Sequence, residues 1–142
     1  MSFDALSDVN WLAILVGTLA YFMLGAVWYA PPVLGKPWMK AAGMETPECS
    51  DGPGPEVYLA PFLFSFVATI VTAVLAVATG SDTFSEGLVL GLVTGVGYAG
   101  TVIGVTAVFE SNKPDAKVWG AITAGYHVLG FVVSAVIVSL WI

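Results

Sequence analysis

The stretch TAGYHVLGF at residues 123–131 decides the fold, because it places the only histidine of the chain inside a long apolar run. The run extends from Val118 to the C-terminal Ile142 and contains no Lys, Arg, Asp or Glu. At about 1.5 Å of rise per helical residue, such a run is long enough to cross a bilayer. His127 is therefore predicted to lie inside the membrane, where an ionisable side chain is costly unless it faces protein or water.

The composition extends this conclusion to the whole chain. Of its 142 residues, 58% are hydrophobic and 10% are charged, and the mean hydropathy is +0.90. These values are typical of a polytopic membrane protein rather than a soluble domain. The fold class predicted is an all-α integral membrane bundle, with residues 1–142 forming one four-helix domain.

Four transmembrane helices are predicted, at about residues 10–30, 58–79, 86–109 and 118–142. The first ends at Pro31-Pro32, since two prolines cannot continue a helix. Pro37 suits the first turn of a short interfacial helix near residues 37–42. Residues 43–57 mix proline, glycine and acidic residues, and they predict a mobile acidic loop.

Polar residues recur at helical spacing along three of the spans, which predicts an inward-facing polar surface. The candidate intramembrane polar site combines Thr69, Thr72, Thr94, Tyr98, Thr123 and His127. A neutral imidazole there could relay a proton or hold a ligand. Alternatively, His127 hydrogen-bonds Tyr98 or a threonine across the bundle and only fixes the packing.

The third span is the most glycine-rich part of the chain. Its candidate helix-packing residues repeat mostly at four-residue spacing: Gly87, Gly91, Gly95, Gly100 and Gly104. Small residues let helices approach closely in lipid. We therefore expect the third span to be the central helix, and we expect some of its small-residue surface to meet another subunit. The favoured state is a homo-oligomer or a subunit of a larger membrane complex.

Aromatic residues and lysines cluster after the first span. Trp28, Tyr29, Lys36, Trp38 and Lys40 form a candidate lipid-headgroup collar. Such residues also anchor membrane proteins in general, so ordinary interfacial anchoring is the alternative. In both cases membrane lipids are the expected partners.

The four lysines predict the orientation. Lys36 and Lys40 follow the first span, and Lys113 and Lys117 follow the third. By the positive-inside rule, residues 31–57 and 110–117 are cytoplasmic and both termini are extracellular. The protein is thus expected to be a multi-pass protein of the cell membrane.

The charge balance limits the possible partners. A formal charge of −6, from ten acidic residues and four lysines, disfavours nucleic acid as a partner. The acid-rich, lysine-poor composition also suits a high-salt cytoplasm, and a halophilic archaeal source is a hypothesis. The single Cys49 cannot form an internal disulfide.

No motif in the sequence indicates catalysis. One histidine and one distant cysteine do not make a metal site, and nucleophile triads and phosphate-binding loops are absent. Glu110 could gate or couple a pathway beside Lys113 or Lys117, but such a residue is more often a solvated charge at a helix end. We expect no enzyme activity, no catalytic residue, no metal and no cofactor.

Four segments together resemble a known family. They are residues 10–13 (NWLA), 25–31 (GAVWYAP), 35–39 (GKPWM) and 124–127 (AGYH). They are similar to the four-span bacterial and archaeal membrane proteins of the domain of unknown function 1761 family. This chain differs at Pro31-Pro32, where the family usually has one proline, and in the long acidic loop. The resemblance implies a four-helix membrane fold and no activity.

The sequence is consistent with two functions. The first is a non-enzymatic structural or accessory membrane protein that assembles with itself, with lipid or with a larger complex. The second is a small oligomeric transporter or channel whose polar pathway passes His127. The two differ in whether His127 faces a packed interior or a cavity large enough for water.

Overall fold

The computed structural model describes residues 5–44 and 54–142, and within these residues the chain is helical with no β-strand. Four helices are long and apolar enough to cross a membrane. The protein is therefore an all-α, multi-pass membrane bundle. Most of the predicted acidic loop, residues 45–53, lies outside the described residues.

Seven α-helices follow one another in the described part of the chain: α1 (Ala5–Asp8), α2 (Trp11–Trp28), α3 (Lys36–Ala42), α4 (Glu56–Thr79), α5 (Phe84–Thr94), α6 (Thr101–Phe109) and α7 (Ala116–Ser139). A π-helical turn, Pro31–Gly35, connects α2 to α3. A second π-helical segment, Gly95–Gly100, connects α5 to α6. Helices α5 and α6, with the π-helical segment between them, form the third span, Phe84–Phe109. The other three spans are α2, α4 and α7.

Side-chain caps mark the starts of α2, α5 and α7. The Asn10 side chain accepts hydrogen bonds from the backbone amides of Leu12 and Ala13 at the start of α2. Thr83 and Glu86 form a reciprocal capping box at the start of α5. Asp115 accepts from the first turn of α7. These polar caps satisfy amides that a helix leaves unpaired at its N-terminus.

The central helix is α7, which packs against α2, α3, α4 and the third span. The expectation that the third span is central was wrong. Its α6 portion has no buried residue, whereas α7 presents glycines to several neighbours. Gly120 faces Ala107 of α6, Gly125 faces Trp28, and Gly130 faces Tyr21. Because these sites lack a Cβ, other helices can approach α7 from different directions.

The connections place the four lysines at one end of the bundle. The backbone amide of Asp115, before α7, donates to the carbonyl of Ala41 in α3 over 3.2 Å. At the opposite end, Asn10 Nδ2 donates to the carbonyl of Trp141 over 3.1 Å. The loops that carry Lys36, Lys40, Lys113 and Lys117 therefore share an end, which we call the lysine end.

The interior has two parts. Toward the chain termini, an apolar cluster joins α2, α4 and α7 and contains Val9, Ala13, Ile14, Ala73, Ala76 and Val138. Toward the lysine end, tyrosine, tryptophan and histidine rings replace it. Gly17 of α2 lies at the boundary between these two parts. A Cβ there would lie 3.0 Å from Thr69 Cγ2 of α4 and 3.7 Å from Ser134 Cα of α7. Three helices are thus in contact where the polar interior begins.

Candidate functional site

The candidate site is built around a hydrogen bond between Tyr21 of α2 and His127 of α7. The Tyr21 hydroxyl lies 2.7 Å from His127 Nδ1, and the Tyr21 side chain is 2% exposed. The partner of His127 is therefore neither Tyr98 nor a threonine, and the expectation that it would be one of them was wrong. The buried phenol of α2 takes this role.

Glycines make room for the tyrosine rings. A Cβ at Gly130 of α7 would overlap the ring of Tyr21, and a Cβ at Gly25 of α2 would lie 3.0 Å from the Tyr126 hydroxyl. The rings of Tyr21 and Tyr126 are tilted, with centroids 5.4 Å apart. Tilted and edge-on contacts of this kind are favourable between aromatic side chains. Gly130 of α7 therefore makes room for Tyr21 of α2, and Gly25 of α2 makes room for Tyr126 of α7.

The hydrogen bond to Tyr21 uses one of the two ring nitrogens of His127. Tyr21 donates to Nδ1 in one tautomer of His127, and Nδ1–H donates to the Tyr21 hydroxyl in the other. The Tyr21 hydroxyl also lies 3.5 Å from the carbonyl of His127. The second ring nitrogen, Nε2, has no hydrogen-bond partner among the described residues, and it is not fully buried.

The aromatic residues of the predicted lipid collar turn inward. Trp28 Nε1 donates to the carbonyl of Ile122 over 3.0 Å, and Trp38 Nε1 donates to Thr123 Oγ1 over 3.0 Å. The ring of Tyr29 lies edge-on between those of Trp38 and Tyr126. These contacts bind the end of α2 and the interfacial helix α3 to α7.

Of the collar, only Lys36 and Lys40 are exposed. The aromatic residues were expected at the membrane boundary, but the indole N–H groups of Trp28 and Trp38 have protein acceptors. An indole N–H can be satisfied inside a protein as well as at a headgroup. The position of a tryptophan in the sequence does not show whether its N–H is bonded inside the protein or at a lipid headgroup.

The threonines of the candidate polar site bond to their own helices. The hydroxyls of Thr69, Thr72, Thr94 and Thr123 each donate to the carbonyl four residues earlier, over 2.8 Å. Thr69, Thr72 and Thr94 are buried. Their hydroxyl groups are therefore hydrogen-bonded within their own helices, as is common for threonine. Of these four threonines, only Thr123 also accepts a hydrogen bond from one of the aromatic side chains, that of Trp38.

Tyr98 faces away from the site and is 71% exposed. In a regular helix it would continue the stripe begun by Thr94, which is 5% exposed. The π-helical segment Gly95–Gly100 intervenes. Because a π-helical turn contains an extra residue, it rotates the following side chains around the helix axis. The predicted stripe of Thr94 and Tyr98 is broken at this point.

The predicted packing glycines divide into two groups. A Cβ at Gly87, Gly91 or Gly95 would lie 2.5–3.0 Å from a backbone Cα atom of α7. Gly100 lies beside the carbonyl of Gly95 in its own π-helical segment, whereas Gly104 faces open space with nothing within 4 Å. Only α5 and the start of the π-helical segment therefore use glycine for close packing against α7.

At the lysine end, Glu110 forms an ion pair with Lys113. Glu110 lies 3.4 Å from Lys113, and Lys113 also lies 4.7 Å above the ring of Trp119. Glu110 lines an open groove of about 600 Å³ between α6 and the start of α7. The carboxylate is thus part of a helix-end ion pair at the surface. Within the described residues, no three His, Cys, Asp or Glu side chains form a group that could hold a metal ion.

The fold and site define a class: an all-α membrane protein of four spans with a tyrosine–histidine pair at the contact of its first and last spans. The family model described as "Protein of unknown function (DUF1761)" matches residues 12–139. The chain belongs to this family. No curated protein and no solved structure matches it.

Proposed function

We propose that this protein is a non-enzymatic structural or accessory membrane protein that associates with itself or joins a larger membrane complex. The observation that carries the proposal is the exposure of the third span: α6 has no buried residue. Val102, Val108 and Phe109 are 64%, 79% and 81% exposed. A spanning helix that its own bundle covers so poorly offers a surface to a neighbouring protein.

The internal hydrogen bonds support the same proposal. The hydroxyls of the buried threonines donate to carbonyls of their own helices, and the Tyr21 hydroxyl is hydrogen-bonded to His127. A transport pathway needs polar groups that are free to exchange partners with a substrate or with water. Here most of the inward polar groups have fixed internal partners.

Isolation from its native membrane tests this proposal. The protein, extracted in a lipid-preserving polymer, is expected to appear as an oligomer or with stoichiometric partner proteins when its mass is measured by light scattering and mass spectrometry. A homogeneous monomer without partners at native abundance would contradict the proposal.

A transporter or channel is the alternative, and His127 Nε2, which has no hydrogen-bond partner among the described residues, favours it. This alternative predicts that liposomes containing the protein show ion or solute flux, and that His127→Ala removes the flux while the oligomer persists. The accessory role predicts no flux above that of protein-free liposomes and at most some loss of stability in His127→Ala.

We further propose that the lysine end is cytoplasmic and that both termini are extracellular, since Lys36, Lys40, Lys113 and Lys117 share that end of the bundle. A C-terminal tag is expected to be accessible only from outside the cell. The acidic composition supports a halophilic source, for which unfolding at low salt is the expected behaviour.

A further inference from the structure

The two halves of the third span pack against α7 in different ways. In α5, Gly87 and Gly91 are buried, and a Cβ at these positions would lie 2.9 Å and 2.5 Å from backbone Cα atoms of α7. In α6, no residue is buried, and an added Cβ at Gly104 would have no atom within 4 Å. Because close backbone approach stabilises helix pairs in lipid, α5 is fixed to α7 more firmly than α6 is.

The attachment of α6 to α7 is narrow. The two helices approach closely at Gly120, where an added Cβ would lie 2.5 Å from Ala107 Cβ. The hydroxyls of Thr101 and Thr106 donate to carbonyls of the third span itself, so α6 makes no side-chain hydrogen bond to α7 among the described residues. The open groove of about 600 Å³ lies beside this contact. Such sparse contacts are typical of a segment that opens locally.

The π-helical segment Gly95–Gly100 joins the two halves. A π-helical turn interrupts the regular hydrogen-bond pattern of a helix, and sharp bends occur at such turns and at glycine. Gly97 lies inside the segment, and nothing lies within 4 Å of an added Cβ there. Close packing therefore does not account for this glycine, which instead gives the backbone freedom to bend. The segment has the features of a hinge.

Lys113 connects the far end of α6 to the beginning of α7. Glu110 directly follows α6, and its carboxylate lies 3.4 Å from Lys113 Nζ. The same Nζ lies 4.7 Å from the centre of the ring of Trp119, in the first turn of α7. Ion pairs and cation–π contacts at a surface are individually weak, so this connection can break and re-form.

We propose that the third span is hinged at Gly95–Gly100 and that α6 moves away from α7 while α5 stays in place. The contacts of Lys113 hold the closed position, and their loss widens the groove between α6 and α7. Because α6 has nine residues, a bend of about 20° displaces its end by roughly 5 Å. The movement takes place within one copy of the chain. It goes beyond the proposed function, because the exposed surface of α6 then has two positions.

Distances between spin labels in liposomes test the hinge. In a Cys49→Ser background, one label is placed at Val67→Cys on α4 and the other at Phe109→Cys at the end of α6, where the native side chains are 57% and 81% exposed. Labelled protein is diluted with unlabelled protein, so that pulsed electron paramagnetic resonance measures distances within one copy. We expect two populations separated by roughly 5 Å. A second pair, Val67→Cys with Val89→Cys on α5, should give one narrow population.

Two substitutions should shift these populations in opposite directions. Lys113→Met removes the charge that connects Glu110 to Trp119, and it is expected to raise the ratio of open to closed positions by a factor of about two to five. Gly97→Ala meets no atom within 4 Å, and it should lower that ratio by stiffening the segment. Lys117→Met is the matched control. Lys117 has no ion-pair partner among the described residues, so the loss of its charge should leave the ratio unchanged.

Three results would overturn the proposal. A single narrow population at Phe109, in the wild type and in both variants, would show that α6 does not move. An equal response to Lys117→Met and Lys113→Met would show that the contacts of Lys113 do not hold the closed position. Equal broadening at Val89 and Phe109, or no response to Gly97→Ala, would show that the movement does not originate in the π-helical segment.

Discussion

Tyr21 and Tyr98 are the same residue type near the middle of two spanning helices, yet one is 2% exposed and the other is 71% exposed. Tyr21 has His127 as a partner and a place for its ring opposite Gly130. Within residues 5–44 and 54–142 Tyr98 has neither, because the π-helical segment turns it outward. The comparison teaches that a polar residue in a span does not by itself indicate an interior site, since helix geometry decides which way the side chain faces.

The largest difference between the two regions is expected from a glycine substitution. Gly130→Ala places a Cβ against the ring of Tyr21, and we expect it to reduce the free energy of unfolding by about 2–3 kcal/mol through overpacking. Gly104→Ala faces open space and should leave the stability of the monomer unchanged or slightly raise it, since alanine favours helix. Reversible unfolding in mixed detergent micelles measures both. Equal losses in the two variants would remove the distinction.

Removing one hydroxyl from each tyrosine tests the same comparison with a smaller change. Tyr21→Phe leaves His127 Nδ1 without its hydrogen-bond partner, and we expect a loss of about 1–2 kcal/mol in the free energy of unfolding. Tyr98→Phe should change the stability of the monomer by less than about 0.5 kcal/mol. The same micelle titration, carried out at high dilution, checks this. A larger loss for Tyr98→Phe would show that the monomer uses the outer phenol.

The attachment of α3 is expected to depend on one indole. Trp38→Phe removes the hydrogen bond to Thr123 while keeping an aromatic ring beside Tyr29, and it should cost about 1 kcal/mol. A spin label introduced by Lys40→Cys, in a Cys49→Ser background, should become more mobile in this variant. Unchanged mobility would mean that α3 is held at the bundle by its other contacts alone.

The smallest effect is expected at the buried threonines. Thr72→Val removes a hydroxyl whose one hydrogen bond to the described residues is to the carbonyl of Ala68 in its own helix, so the free energy of unfolding should change by less than about 0.5 kcal/mol. A loss above 1 kcal/mol would indicate that the hydroxyl has an additional partner across the bundle.

The spans could be recognised from the sequence because hydrophobic length is a local property. Most of the charge-free run around His127, residues 118–142, lies in α7 (Ala116–Ser139), and Pro31-Pro32 follows the end of α2 (Trp11–Trp28). Pro37 also lies in the first turn of α3 (Lys36–Ala42). Each of these features depends on residues within one or two turns of one another, so single-sequence reasoning could find them.

The partners within the site could not be read from the sequence, because they depend on how helices pack. Tyr21 stands in an apolar run, and its only local signal is the pair Gly17 and Gly25, one turn before and one turn after it. That spacing indicates a close-packed face, but not that His127 lies opposite. The π-helical segment likewise has no certain sequence signature beyond its glycines, so a regular helical wheel placed Tyr98 on the wrong face.

The central claim is that the polar interior of this bundle is closed and that the protein acts through its outer surface. The most direct measurement is the reactivity of Thr69→Cys, in a Cys49→Ser background, with a membrane-impermeant thiol reagent applied to both sides of liposomes. Thr69 is 0% exposed, and cysteine is close to it in size. The account predicts labelling no faster than in the cysteine-free protein, whereas Lys40→Cys should react readily. Rapid labelling of Thr69→Cys would show a water-filled path through the interior and would contradict the account.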